Sequence, residues 1–339
     1  MDKKSRIGII VGFALSLGVL GYLLSQLEWH LFISELKRVN WAYLPVLIVL
    51  YVLSFWIRAT RWRYLLPSGL QVSTTKLFSA CILGMLASCV LPLRAGEFVR
   101  PWVLSRSKQV TFSLSFSSVV TERVFDVLTM LTLFFLTLHT IQNPPAWAPI
   151  CAKSLATIAG GILAVMLCAY FQGARVLRFI ELCISSTVSR IAPSFGAKLT
   201  EIAAEFVQGL KSIASFGELL MVILLSFALW LEFAGVYYVG LLSFGITPSI
   251  WEANAVNVFV ALAIAIPSAP GFLGTFQIGC LAALHEVYQH SEEFALAYSV
   301  VLHSFQLICT VIFGFFMLHY EGLSFRELKS HGEPALAEA

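Results

Sequence analysis

The sequence predicts an all-α polytopic membrane protein, built as an inverted repeat of helix, helix, hairpin and helix, with six full spans and two re-entrant hairpins. Three observations carry this reading: composition, the spacing of apolar runs, and the placement of basic residues. The 339 residues are 58% hydrophobic and 12% charged, with a mean hydropathy of +0.84. Soluble domains carry roughly 25% charged residues, so this chain cannot cover a water-facing surface. Its length is better counted in spans of about 20 residues. The net charge of +3 is too small to imply nucleic acid, and no basic patch interleaved with aromatics is present.

Strong apolar runs occupy 7–27, 41–57, 117–138, 154–171, 219–242 and 299–318. The first follows the basic stretch MDKKSR. It is too long for a signal-peptide core and lacks a small-residue cleavage site, so it reads as a retained helix. Two weaker runs remain, 77–91 ending at Pro92 and 254–266 ending at Pro267. The second is short for a span and suits a re-entrant arm. If all eight runs cross, basic residues fall about equally on both sides. If the two weak runs are hairpin arms, eighteen Lys and Arg residues lie on the cytoplasmic side and two outside, as the positive-inside rule requires. Six spans with both termini cytoplasmic is therefore preferred, with eight transmembrane helices as the alternative.

An internal alignment supports the repeat. CILGMLASCVLPLRAGEF (81–98) over VNVFVALAIAIPSAPGFL (256–273) places Pro92 on Pro267 and Gly96 on Gly271, an offset of 175 residues. Residues 1–325 read as one membrane domain, with repeat one at about 7–138 and repeat two at about 154–318. Within it, 172–218 carries apolar positions at helical spacing and reads as amphipathic helices on the cytoplasmic face. Residues 326–339 read as a cytoplasmic tail. The compartment expected is a bacterial inner membrane.

Three constellations carry candidate chemistry. The first is LPLRAGEFVRPW, with Arg94, Glu97 and Arg100 around Pro92 and Gly96. Irregular backbone at membrane depth is tolerated where it lines a cavity, and charges there serve a site or pair internally. The bland reading is an Arg–Glu pair in a plain cytoplasmic loop. The second is TERVFDVLTM, where Glu122 and Asp126 share a helical face with Arg123 beside them. These are either the polar wall of the same cavity or a charged helix end. The third is IPSAPGFLGTFQ, with Pro267, Pro270, Gly271, Gly274 and Gln277. Its free amides could bind a phosphate, or it is a rigid turn. Glu232, His303 and Gln306 are polar residues at membrane depth that read as packed and hydrogen-bonded. RATRWR, Arg58 to Arg63, reads first as an interfacial anchor beside Trp56 and Trp62, with lipid-phosphate contact as a secondary role.

The seven cysteines form no CxxC pair and read as small hydrophobic residues. No metal-binding spacing, nucleophile elbow or nucleotide loop occurs. The sequence therefore predicts no catalytic residues, no metal and no cofactor.

The motifs PLRAGEFVRP, TERVFD and PSAPGFLGTFQ, in that order, resemble the flippase-like transmembrane region of lysylphosphatidylglycerol synthases and its free-standing relatives. The resemblance covers nearly the whole chain. The family's proline–arginine–glycine–glutamate signature falls on Pro92, Arg94, Gly96 and Glu97, and its Glu-Arg…Asp signature on Glu122, Arg123 and Asp126. Phe272 stands where the family often has a second glycine, and Gln277 where it has an acid. No stretch after Phe325 is long enough for the soluble aminoacyl-transferase domain. The resemblance implies lipid translocation and does not imply lysyl transfer. The expected activity is transport of an anionic or zwitterionic lipid, or a lipid-linked molecule, between leaflets. Arg94 and Arg100 would hold its phosphate. Rival expectations are an intramembrane lipid-phosphate enzyme and an accessory subunit of a lipid- or glycan-synthesis enzyme.

Overall fold

The computed structural model describes residues 28–91, 96–107, 109–141, 148–191, 215–265, 269–328 and 330, with scattered positions at 18, 21 and between 193 and 207. The run 7–27 lies outside the described residues except at Gly18 and Gly21, and the tail except at 326–328 and 330. The described residues are helical throughout, with no strand among them.

In chain order, α1 is Trp29–Lys37, and a 3₁₀ turn at Trp41–Tyr43 leads into α2, Leu44–Tyr64. Then come α3 (Thr74–Val90), α4 (Gly96–Ser105) and α5 (Phe112–Leu138). α6 (Ala148–Ser186) and the short α7 (Val188–Ile191) are followed by α8 (Phe216–Ser243). The chain continues with α9 (Ile250–Ala265), a 3₁₀ turn at Pro270–Phe272, α10 (Thr275–Leu281), a π-helical turn at Ala282–Val287 and α11 (Glu292–Tyr320).

The starts of these helices are written in the sequence. Ser73, Thr111, Ser215 and Ser291 each accept a hydrogen bond from the backbone N–H three residues on. Such caps satisfy amides that the first turn leaves free. This is why α3 and α5 begin three and five residues before the apolar runs that announced them. Pro45 in the first turn of α2 needs no donor there.

Among the described residues three unbent helical stretches are long and apolar enough to cross a membrane, Trp41–Tyr64, Phe216–Ser243 and Glu292–Tyr320. α5 is 27 residues long and carries Glu122, Arg123 and Asp126. The two weak runs form shorter apolar helices, α3 of 17 residues and α9 of 16. At 1.5 Å per residue a 17-residue helix reaches about 25 Å, short of the roughly 30 Å hydrocarbon core. Each packs along the helix that follows it, α3 with α4 and α9 with α10. Glycine allows both contacts. A Cβ on Gly96 would lie 1.9 Å from the Gly84 carbonyl oxygen, and one on Gly279 would lie 2.5 Å from the Val260 Cα. The order long helix, helix pair, long helix thus occurs twice, as α2 to α5 and α8 to α11.

The run 154–171 and the start of the amphipathic stretch are one helix, α6, broken at Gln172 (φ −133°, ψ 39°). Just before it, Ala156–Val165 and Tyr170–Ser186 are bent by 104° relative to each other. Beyond the break Phe179 and Leu182 are exposed, as are Arg175 and Arg178 in part.

α2 and α8 pack along each other at the centre, and α11 lies against α1, α3 and α10. Polar side chains tie the helices together, as membrane packing favours. Tyr51 and Thr310 share a hydrogen bond of 2.7 Å between α2 and α11. Asn254 on α9 donates to Thr137 on α5 at 2.6 Å, and Asn257 donates to the Trp230 carbonyl of α8 at 3.0 Å. Cys81, Cys280 and Cys309 are buried as small apolar residues, whereas Cys168 and Cys183 are exposed.

Candidate functional site

The reading of RATRWR as an interfacial anchor is overturned. α2 continues seven residues past its apolar run, and two of the three cations there, Arg58 and Arg61, point inward. Arg61 is fully buried, and the Arg58 side chain is 14% exposed. The i, i+3 spacing puts both on one helical face, toward the acids of α5. A hydropathy run ends at the first charge, but the helix does not when those charges are neutralised by a neighbour.

Glu122 is the centre of the cluster, with no exposed surface. Arg100 of α4 donates two parallel hydrogen bonds to it, at 2.9 and 2.6 Å. Arg61 Nη2 lies 3.0 Å from its Oε1, Arg58 Nη1 3.4 Å and Arg123 Nη2 3.5 Å. One turn on, Asp126 accepts from Arg61 at 2.7 Å and from the Trp230 indole at 3.3 Å, and lies 3.1 Å from Arg123. Arg61 also donates to Ser226 at 3.0 Å. Arg123 reaches Glu97 at 3.4 Å. The Arg100 guanidinium lies 3.9 Å from the Trp62 ring centroid, a cation–π contact. Trp62 is itself fixed by donating to Ser118 at 2.7 Å. Fork-shaped pairs of this kind set geometry as well as charge.

The cluster forms one wall of a cavity of about 390 Å³, within the roughly 300–1,000 Å³ of small-molecule sites. Arg58, Glu97, Arg100, Arg123 and Asp126 line that wall. Met85, Met130, Phe233, Val260 and Ile264 give an apolar wall, and His303, Gln306 and Thr310 run along it from α11. Both helix pairs contribute, through Ser88 and Gly96 from the first and Phe272 and Phe276 from the second.

Of the residues singled out in the sequence, Arg94 and Pro267 lie outside the described residues, as does Pro92. Gly96 seats α4 against α3, and Glu97 stands partly exposed at the cavity with Arg123. Arg100 is 4% exposed and committed to Glu122 and Trp62. Pro270, Gly271, Gly274 and Gln277 shape the turn behind Phe272 and Phe276 and do not line the cavity themselves. Gly271 (φ +70°) packs near the Cys89 carbonyl, so the Pro270–Phe272 turn lies against the end of α3. Its own carbonyl takes a hydrogen bond of 2.8 Å from His303 Nε2. His303 Nδ1 is then the acceptor for Gln277 at 3.2 Å. The Gln277 carbonyl oxygen accepts from the Gly274 N–H at 2.9 Å and caps the start of α10. Phe272 holds a left-handed φ of +60° that glycine would adopt without strain. Sequence reasoning gave Arg58 and Arg61 only a secondary lipid-phosphate role, and it missed Ser226 and Trp230. The signal for the arginines was their i, i+3 spacing in a chain with few charges.

Apolar helices long enough to span a membrane, around a buried arginine–carboxylate cluster beside a partly apolar cavity, define a multi-pass membrane protein with a polar site buried among its helices. The lysylphosphatidylglycerol synthase TM region family matches residues 9–314, and the chain belongs to that family. Three curated relatives are archaeal. Glycosyltransferase AglD of Haloferax volcanii is 24% identical over 337 residues, covering 91% of this chain and 54% of AglD. UPF0104 membrane protein MJ1078 of Methanocaldococcus jannaschii is 26% identical over 69% of this chain and 94% of that protein. UPF0104 membrane protein MJ1595 of the same organism is 29% identical over 39% of this chain and 38% of its own length. The chain thus spans about half the length of AglD. No solved structure matches it.

Proposed function

We propose that this chain moves an anionic or zwitterionic phospholipid, or a lipid-linked molecule, between the leaflets of a cytoplasmic membrane. The observation that carries the reading is the cavity, whose lining joins a charged set of residues to an apolar one. A headgroup phosphate suits the first and an acyl chain the second. Among the described residues the cluster holds four arginines, 58, 61, 100 and 123, against Glu97, Glu122 and Asp126. One positive charge is in excess. Arg58 and Arg123 are the cavity-lining arginines with donors to spare, since Arg58 reaches Glu122 only at 3.4 Å and the Arg123 side chain is 40% exposed. They replace Arg100 as the groups assigned to the phosphate. Both acids of α5 are held by arginines, which favours transport over bond-making chemistry. The expected assay result is that vesicles containing the protein expose inner-leaflet, tail-labelled phosphatidylglycerol to an impermeant quencher, with or without a pH gradient. Quenching confined to the outer leaflet, or turnover of the lipid, overturns the reading. Arg123→Gln should slow the exchange about tenfold or more, the effect of losing one charge-assisted hydrogen bond of ~1.5–3 kcal/mol.

The repeated helix order supports an inverted repeat, with α3–α4 entering from the cytoplasm, α9–α10 from the other face, and both termini cytoplasmic. Alternating access would follow from rocking of one half against the other. In a cysteine-free variant, a cysteine at Ser291 should label with an impermeant reagent from outside the cytoplasmic membrane, and one at Ser105 should not. Labelling at Ser105 restores eight crossings.

The match to AglD favours a second reading. There the aligned stretch is about half of a protein named as a glycosyltransferase. On that reading this chain serves a separate glycan- or lipid-synthesis enzyme, and crosslinking in intact cells should capture such a partner.

A further inference from the structure

One acid beside the cluster takes no part in it. Glu232 lies near the middle of α8, is 9% exposed, and neither of its carboxylate oxygens has a hydrogen-bond partner. Its helix neighbours Trp230, Phe233 and Val236 line the cavity. The Arg58 guanidinium sits 5.8 Å from the centroid of Phe233, the residue that follows Glu232. The helices packed against α8 carry several charged or titratable groups. These are Tyr51, Arg58 and Arg61 on α2, Glu122, Arg123 and Asp126 on α5, Glu252 on α9, and Tyr298 and His303 on α11. Of these, Arg58 is the cation that the structure sets against the residue adjacent to Glu232, over the Phe233 ring. A buried carboxylate with no hydrogen bond is costly in its charged form, and a structure retains one where it serves a purpose.

We propose that Glu232 is a proton-binding site coupled to the headgroup site through Arg58. This rests on the transport reading above. With Glu232 ionised, four arginines face four carboxylates, the charges balance, and Arg58 is drawn toward α8. A proton taken from water converts the carboxylate to a neutral acid. Arg58 is then released and the excess positive charge returns to the cavity wall, where an anionic headgroup can take it. The proton goes back to water when the headgroup leaves, and no other bond is made or broken. One anion and one proton enter together, so the cavity is loaded with no net change of charge.

The sign of the pH dependence follows. Affinity for an anionic lipid is greatest at low pH and falls as pH rises through the titration of Glu232, with the logarithm of affinity changing by about one per pH unit at most. The test is binding of fluorescent phosphatidylglycerol in phosphatidylcholine bicelles to the purified full chain across pH, for wild type and Glu232→Gln. The variant, neutral at every pH, should hold the wild-type acidic affinity and lose the slope. Infrared pH titration supplies a second readout independent of lipid. A protonated-carboxyl band that disappears with rising pH should be present in the wild type and absent in Glu232→Gln. Identical slopes and identical bands in the two proteins overturn the coupling, and if vesicles still exchange lipid the transport reading stands. A band lost in the variant while wild-type vesicles exchange no lipid supports the proton site and sinks transport.

Discussion

Glu122→Gln is expected to collapse the membrane domain's charge cluster, with a loss of stability of about 3–5 kcal/mol, the cost of removing one partner from a buried ion pair. The amide keeps the shape of the side chain and can still accept a hydrogen bond, but it removes the charge that Arg58, Arg61, Arg100 and Arg123 share. Those arginines would be left with Asp126 and Glu97. Arg61 and Arg100 have no solvent to turn to, being 0% and 4% exposed. Thermal unfolding of the detergent-purified variant should therefore begin far below the wild-type midpoint, and vesicles should show no lipid exchange. Asp126→Asn should cost less, since Asp126 is less buried and meets fewer arginines. A Glu122→Gln protein with wild-type melting would mean that the cluster is not a folding element at all.

Gly96→Ala is expected to be nearly as damaging, for a steric reason. The new Cβ would stand 1.9 Å from the Gly84 carbonyl oxygen and 2.2 Å from the Ser88 hydroxyl. Ser88 can rotate away, but the Gly84 carbonyl is helix backbone and cannot. The two arms must part, at a cost at or above the ~3 kcal/mol upper end of ordinary overpacking. Arg100 lies one turn further along α4, so parting the arms also draws its guanidinium off Glu122 and Trp62. Gly161→Ala is the control, since a Cβ there meets nothing within 4 Å. Comparison of melting and lipid exchange in the two variants tests the contact. Equal behaviour would show that the α3–α4 arms do not touch at Gly84 and Gly96.

Glu122 and Gly96 were visible in the sequence as site residues, and the reason is that each breaks a local rule. An acid inside a strongly apolar helix and a glycine beside a membrane-depth arginine both demand an explanation that hydropathy does not supply. The helical class and the existence of two shorter apolar helices were legible for the same reason, because composition and apolar run length act locally. What was not legible depends on which helices become neighbours. Arg58 and Arg61 have the local pattern of an anchor at a helix end, and only the approach of α5 turns them inward. Trp230 and Ser226 carry no local mark, since their role is to meet Asp126 and Arg61 from more than a hundred residues away. Gln277 shows the converse. Its position in the motif suggested a ligand-facing group, whereas its side chain is occupied in capping α10.

The cluster's charges also have an order in time. Chains emerge from the ribosome N-terminus first, so Arg58, Arg61 and Arg100 are made before Glu122 exists. An arginine alone at the centre of a membrane helix costs about 2.5–3.5 kcal/mol on insertion scales. Arg58 and Arg61 of α2 and Arg100 of α4 therefore gain their carboxylate partner Glu122 only when α5 is synthesised. Until then those segments are most stable at the interface or beside the insertion machinery, and the arrival of residues 122–126 is what releases them into lipid. On the proposed topology the first half is expected to enter in a single late commitment, and a ribosome stalled before Glu122 should leave α4 accessible to water-soluble reagents.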